Sequence, residues 1–255
     1  MEIDGLFSIA GRTAVVTGGA RGIGSMIAEG LVAAGARVAI VGRTRTTVDA
    51  RAAELATQGE CRAITADVST AAGCRAVADR VVSEFGGLDI LVNNAGAQSV
   101  RPLEDFDDEQ WDLALDVNLK AVFRLTRDLA PALRAGGAST GRVINIGSID
   151  GLRVPPRENY AYAASKAAVH HLTRLLAKRL APEILVNAIA PGPFDTDMAR
   201  GIMREVGVTS WAVPPAGHVG ALEDVVGAVI FLASEASRYV TGAVIPVDGG
   251  VATLL

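Results

Sequence analysis

"TAVVTGGARGIGSMIAEGLVA", Thr13 to Ala33, decides the fold. It opens on an apolar β-rich run, Thr13–Thr17, and from Gly22 onward the pattern is helical. Between them stand glycines at 18, 22 and 24, spaced G-x-x-x-G-x-G. Missing side chains there permit a tight turn, close backbone approach to a pyrophosphate and close packing of helix on strand. The helix behind the turn offers free N–H groups and a positive dipole end to phosphates. A glycine cluster alone is as well explained by a structural turn. After a first strand and before a helix, it points to a bound dinucleotide.

Outward from this turn the same rhythm runs to the end of the chain. Further strands are expected at Arg37–Val41, Cys61–Thr65, Asp89–Asn93, Arg142–Ile146, Ile184–Ile189 and Ala243–Val247. Helical patterns lie between them near 22–34, 44–58, 70–85, 108–134, 160–180 and 222–233. Several strands are near-continuous apolar runs, as parallel strands covered on both faces require. The expectation is a doubly wound, Rossmann-type α/β fold: a parallel seven-stranded sheet with helices on both faces. No linker or internal repeat interrupts it, so residues 1–255 are read as one domain. Such sheets bind ligands beyond the carboxyl ends of their strands, where strand order reverses.

Half of the 255 residues are apolar, a fifth are charged, and the formal charge is −4. That balance gives no electrostatic footprint for nucleic acid or an anionic membrane. Cys61 and Cys74, the only cysteines, read as reduced thiols. The opening "MEIDGLF" lacks the layout of a signal peptide, and no apolar run is long enough to span a bilayer. A soluble, cytoplasmic protein is expected.

The second strand ends "VGRTR", with Gly42, Arg43, Thr44 and Arg45. An NAD site usually carries an acidic residue there for the ribose 2′-hydroxyl. The nearest, Asp49, lies a full turn into the next helix. Arginine's charge and planar fork suit a phosphate. Arg43, with Arg21 from the glycine loop, therefore points to a 2′-phosphate and to NADP, with NAD possible; solvated surface arginines are the plain alternative. Asp67 in "TADVS" could accept from an adenine amino group or order its own turn, and spacing does not choose. In "NNAG", Asn93 to Gly96, the asparagines can bond neighbouring backbone, and Gly96 lets a flat ligand come close.

"NYAYAASKAAVHH", Asn159 to His171, holds two tyrosines ahead of one lysine. A helix turns about 100° per residue, so residues four apart stack on one face. Tyr162 and Lys166 have that spacing; Tyr160 lies on another face. Val169 and Leu176 share the face of Tyr162, so Lys166 sits on a stripe leading into the core. A cation near a phenol favours the phenolate, and lowering a pKa of ~10 by about three units would suit acid–base work. Such pairs are common on ordinary helices, and two further residues add weight. Ser148 in "VINIGSIDG" ends the fifth strand, where its hydroxyl could bond a substrate oxygen or order a turn. Asn118 is the only polar member of the stripe Trp111, Leu115, Asn118, Val122, Leu125 and Leu129, on a helix opened by Asp107 and Gln110 as a capping box. A buried amide needs partners.

These residues resemble the short-chain dehydrogenases/reductases from about Gly11 to Gly250. The resemblance rests on "TGGARGIG", "ADV", "NNAG", "VNLKAVF", "INIGS", "YAASKAAV", "NAIAPG" and "PVDGG", in family order. It implies that Ser148 and Tyr162 hold the substrate oxygen and that Tyr162 passes the proton. Lys166 would bind the nicotinamide ribose and lower the tyrosine pKa, while Asn118 holds a water linking the lysine to solvent. Gly18, Arg21, Gly22, Ile23 and Gly24 would cradle the cofactor, with Arg43 and Thr44 beyond them. Asp67 and Val68, then Asn94, Ala95 and Gly96, would line the adenosine side. Pro191 and Gly192, the backbone of Ile189, and Thr196 of "PGPFDT" would meet the nicotinamide end. Within the family the pattern most resembles 3-oxoacyl-thioester (acyl-carrier-protein) reductases, and an assembly of two or four subunits is implied. "RVPPREN" sets Ser148 and Tyr162 slightly further apart than usual, which puts the substrate loop in doubt more than the catalytic assignment.

Residues 194–220 carry Phe194, Met198, Met203, Trp211, Pro214 and Pro215 without a strand pattern, and are expected to form a lid over a partly hydrophobic substrate. Arg153 and Arg157 could meet an anionic tail or simply face solvent. His170 and His171 are adjacent, face different ways and make a poor metal pair; no metal site is expected. Two functional readings stand: an NADP(H)-dependent oxidoreductase interconverting a carbonyl and a secondary alcohol, with alcohol, sugar and steroid dehydrogenation as alternatives, and a catalytically silent NADP-binding sensor or scaffold. The second predicts a lost catalytic residue, and Asn118, Ser148, Tyr162 and Lys166 are all present.

Overall fold

The computed structural model describes residues 3–137, 140–197, 199–201 and 213–254. Its first strand, β1 (Thr13–Thr17), is buried along its whole length. Ala14 and Val16 face one hydrophobic core and Val15 the other, as period-two alternation requires. The glycine turn follows, then α2 (Gly22–Ala33), after a short α1 (Ile3–Phe7) that the sequence pattern does not announce.

The remaining strands are β2 (Arg37–Gly42), β3 (Cys61–Thr65), β4 (Ile90–Asn93), β5 (Gly141–Ile146), β6 (Ile184–Pro191) and β7 (Val244–Val247). All pair in parallel in the order β3-β2-β1-β4-β5-β6-β7. Strand order reverses between β1 and β4, which opens a crevice at their carboxyl ends. The expected doubly wound fold is the one observed, with strand ends shifted by one or two residues.

The helices are α3 (Arg45–Leu55), α4 (Ala71–Phe85), α5 (Asp108–Leu115), α6 (Ala121–Arg134), α7 (Tyr160–Leu180), α8 (Leu222–Ala233) and α9 (Val251–Leu254). On one face α2, α3 and α8 cover Ala14, Val16, Ile40, Ile90 and Ile144. On the other, α4, α6 and α7 cover Val15, Ala39, Leu91, Val143 and Val186. The stretch expected as one helix over 108–134 is interrupted by a π-helical turn, Asp116–Lys120. No helix among the described residues is long and apolar enough to cross a membrane.

Candidate active site

The glycine turn is fitted to the end of β4. Asn94 donates its side-chain amide to the Thr17 carbonyl at 2.8 Å, and the N–H groups of Asn94 and Ala95 both donate to Thr17 Oγ1. A Cβ on Gly24 would lie 2.3 Å from that amide nitrogen, so only glycine allows the approach. Gly18 packs against the same group. Asn94, expected on the adenosine side, thus has its side chain committed to the turn. Gly22 has φ +52, and a Cβ there would stand 3.4 Å from Thr196 Cγ2 across the crevice. Arg21, the residue before α2, makes no side-chain cap bond, so the first N–H groups of α2 are left without a side-chain cap partner. Free backbone donors with no Cβ to crowd them are what a pyrophosphate needs, and the site fits a dinucleotide.

Arg43 and Thr44 stand exposed at the end of β2. Arg21 reaches toward them, donating to Thr47 Oγ1 at 3.3 Å. Asp67 is exposed and accepts the Ser69 N–H at 3.0 Å, a turn that leaves its second oxygen for a ligand. Val68 beside it is buried.

Toward β5 the polar residues converge. Ser148 follows the strand and accepts the Asp150 N–H at 3.1 Å, which opens a short turn over Ile149–Gly151. The Ser148 hydroxyl lies near enough to the Tyr162 phenol to favour its ionised form. Lys166, buried one turn along α7, donates to the Ile146 carbonyl at 2.7 Å and lies 5.5 Å from the centre of the Tyr162 ring. Tyr160 points elsewhere: its hydroxyl donates to Glu158, and its ring packs edge-on against Phe106. The helical spacing therefore pairs Lys166 with Tyr162 and not with Tyr160.

The expected direction of the phenol pKa is reversed. Burial pushes Tyr162 up to about 12, Ser148 opposes that, Asp150 adds to it and Arg157 opposes it. Burial also pulls Lys166 down to about 8. Its Nζ is turned to a carbonyl and the face of the ring, and desolvation is the leading cause of both shifts.

Asn118 lies in the π turn with no exposed surface. Its Oδ1 accepts the Ala97 N–H at 2.8 Å, and its amide donates to the Ala97 carbonyl and to Ser165 Oγ, both at 2.9 Å. Both amide protons are used by protein groups, so the water expected of Asn118 is left its second Oδ1 lone pair or backbone. Ser165, which sequence reading passed over as a small helix residue, ties this amide to α7 by donating to the Tyr162 carbonyl at 2.7 Å. A Cβ on Gly96 would stand 3.5 Å from Asn118 Oδ1 and 3.9 Å from Lys166 Nζ, so Gly96 keeps the floor beside the lysine open. Half of the expected capping box forms: Asp107 accepts the Gln110 N–H, whereas Gln110 Oε1 finds no partner.

Ile189 sits fully buried inside β6, and its carbonyl accepts the Gly147 N–H at 2.7 Å, so one of its two acceptor positions is used by the protein. The strand runs on to Pro191, and Gly192 N–H bonds Val247. The excursion expected as a lid has a closed base, since Phe194 bridges to Gly220 and the Gly220 N–H donates to Pro193. Its residues Met198, Met203 and Trp211 lie outside the described residues.

Comparison with known proteins agrees with this geometry. The family model described as enoyl-(acyl carrier protein) reductase matches residues 18–252. The rhamnolipids biosynthesis 3-oxoacyl-[acyl-carrier-protein] reductase of Pseudomonas aeruginosa is 45% identical over 96% of this chain and 97% of its own. The chain belongs to the short-chain dehydrogenase/reductase family. The gluconate 5-dehydrogenase of Gluconobacter oxydans is 37% identical over 98% of each chain. Among solved structures, the Pseudomonas aeruginosa RhlG/NADP active-site complex superposes with a TM-score of 0.92 at 43% identity, covering 99% of this chain and 100% of the other. A place in this family makes the protein an oxidoreductase.

Proposed function

We propose that this protein is an NADP(H)-dependent reductase of 3-oxoacyl thioesters, interconverting a carbonyl and a secondary alcohol. The observation that carries the reading is the convergence of Ser148, Tyr162 and Lys166 at the end of β5, across the crevice from an open glycine turn. When bound, the dinucleotide supplies the hydride in one direction and accepts it in the other. Gly18, Gly22, Ile23, Gly24, Gly96, Pro191, Gly192 and Thr196 surround its place, with Asp67 and Val68 on the adenine side. Ser148 donates to the substrate oxygen and orients it. Tyr162, neutral and desolvated, delivers its proton to that oxygen during reduction and withdraws it during oxidation. Lys166 holds a positive charge beside the ring below pH 8 and offers its remaining protons to a ribose.

Arg43 supports NADP over NAD: it is exposed, it has no ion pair or hydrogen bond among the described residues, and no carboxylate follows β2. The NADP of the similar Pseudomonas complex points the same way. Exposed Leu152 and Val154, on the loop between Ser148 and Tyr162, favour a partly apolar substrate such as an acyl chain. The likeness to gluconate 5-dehydrogenase supports a second reading, oxidation of a sugar acid. We read the chain as one cytoplasmic domain. Its assembly into dimers or tetramers is supported by exposed Leu113, Phe123 and Leu175 on α5, α6 and α7.

The deciding experiment follows NADPH oxidation at 340 nm with a 3-oxoacyl thioester, and NADP reduction with gluconate. Turnover of the thioester alone supports the first reading. Turnover of gluconate alone replaces it with the second, and turnover of neither, with NADPH bound, removes both substrates.

A further inference from the structure

The turn that carries Ser148 begins and ends on a glycine, Gly147 and Gly151, and both rest on α7. A Cβ on Gly151 would lie 2.6 Å from the Ala167 nitrogen and 2.7 Å from the Lys166 carbonyl carbon, against the helix backbone. A Cβ on Gly147 would lie 2.1 Å from His170 Nε2 and 2.7 Å from its Cδ2. The same ring brings Cε1 to 3.0 Å from the corresponding point on Gly151. His170, one helical turn beyond Lys166, therefore reaches into the turn with the tip of its ring between the two glycines. The reaction above has no use for it.

Neither glycine is called for by its backbone, since neither has a positive φ. At Gly147 the ring is what excludes a side chain; the next atom a Cβ would meet, the Ile189 carbonyl oxygen, is 3.3 Å away. Gly147 is thus held from two sides, by its N–H bond to Ile189 at 2.7 Å and by the ring. The ring itself is 3% exposed, and neither of its nitrogens has a hydrogen-bond partner among the described residues. Burying a polar ring in this way is costly, and an aliphatic side chain would avoid the cost. Shape gives the reason for the ring. A leucine ends in two methyl groups, which are wider than the edge of a planar imidazole, and Gly147 leaves room for the edge.

What the ring supports is the part of the site that α7 does not itself carry. Tyr162, Lys166 and His170 are spaced four apart and share one helix. Ser148 comes from β5, and its hydroxyl and carbonyl are already engaged by the N–H groups of Asp150 and Gly151 at 3.1 and 3.0 Å. Its turn is compact, so it moves as a unit against whatever it rests on.

We propose that His170 is a positioning residue: its ring is the stop against which the Gly147–Gly151 turn closes, and it fixes the Ser148 hydroxyl relative to Tyr162 and Lys166. The inference rests on Ser148 orienting the substrate oxygen, as proposed above. Reacting groups have to be held within about 0.5 Å of their productive geometry. A misplacement of about 1 Å can cost about 100-fold in rate.

The test compares crystal structures and kinetics of the full chain. H170A removes the ring. H170N keeps a planar group but lacks the atoms at Nε2 and Cε1, and it serves should the larger deletion fail to fold. Either folded variant should shift Ser148 Oγ by about 1 Å or break its bond from the Asp150 N–H. The kcat for NADPH-driven reduction should fall by about 100-fold, with KM for NADPH within a few-fold of wild type. A merely structural role would lower stability and leave kcat per folded chain unchanged. An unmoved Ser148 in a folded variant overturns the proposal, and so does a wild-type kcat. The position of Ser148 is read without substrate, so a wrong substrate or an inactive wild type is told apart from a wrong role for His170.

Discussion

Two phenols separated by one alanine meet different fates because a helix assigns them different directions. Tyr162 is turned to Ser148 and Lys166, and Tyr160 to Glu158 and Phe106. Y162F should lower turnover by about 100-fold or more while leaving NADPH binding within a few-fold of wild type, because only the transferable proton is lost. Y160F should keep nearly all activity, since its bond to Glu158 is at the surface. Steady-state kinetics with fluorescence-detected NADPH binding separates the two; equal losses would show that the face assignment is wrong. At the other end of the crevice, Arg43→Asp should weaken NADPH more than NADH, by about 10-fold or more, as loss of a charge-assisted bond to a phosphate requires. Equal weakening of both would sink the 2′-phosphate argument. The Tyr162–Lys166 pairing was legible because spacing on a helix is geometry. The direction of the phenol pKa was not, because it depends on desolvation, which sequence spacing does not report.

At the scale of elements, the main departure is the π turn at Asp116–Lys120. The stripe from Trp111 to Leu129 reads as one continuous amphipathic helix because an extra residue in a single turn barely disturbs a pattern of threes and fours. The turn's use is visible only in three dimensions, where it brings the Asn118 amide onto both backbone groups of Ala97 and onto Ser165. π turns often mark functional sites for this reason. N118A would strand half-buried Ala97 and buried Ser165 groups, at about 1–3 kcal/mol. Urea denaturation should show that loss, with a fall in turnover beyond it because the Lys166 floor and the α7 tie share the same amide. Unchanged stability would mean that water replaces the amide without cost. Ile189 teaches the converse: a residue placed by motif order near the nicotinamide lies inside β6 with its carbonyl bonded by the Gly147 N–H, a partner that motif order does not report.

For the whole molecule, the active-site helix imposes a pH dependence on folding. His170 and His171 were expected to face different ways, and they do: His170 is buried and His171 exposed. The His170 ring meets the Gly151 backbone without a hydrogen bond of normal geometry, and burial holds it near 4 against an ordinary 6.5. Between those values the unfolded chain binds a proton that the folded chain refuses. Stability is therefore complete above pH 6.5 and falls as pH drops toward 4, with a slope of up to about 1.4 kcal/mol per pH unit from this group. Tyr162 acts at the opposite end: its folded value is raised, so its contribution is lost as pH rises from 10 toward 12. Lys166, lowered to about 8, contributes most above its ordinary 10.5 and progressively less down to 8, with no further change below. H170F keeps a buried ring and removes the titration. Denaturation midpoints measured at pH 7 and pH 5 should differ less in H170F than in wild type. An equal difference would mean that His170 protonates in place, and that the fold opens at this helix to let water reach it.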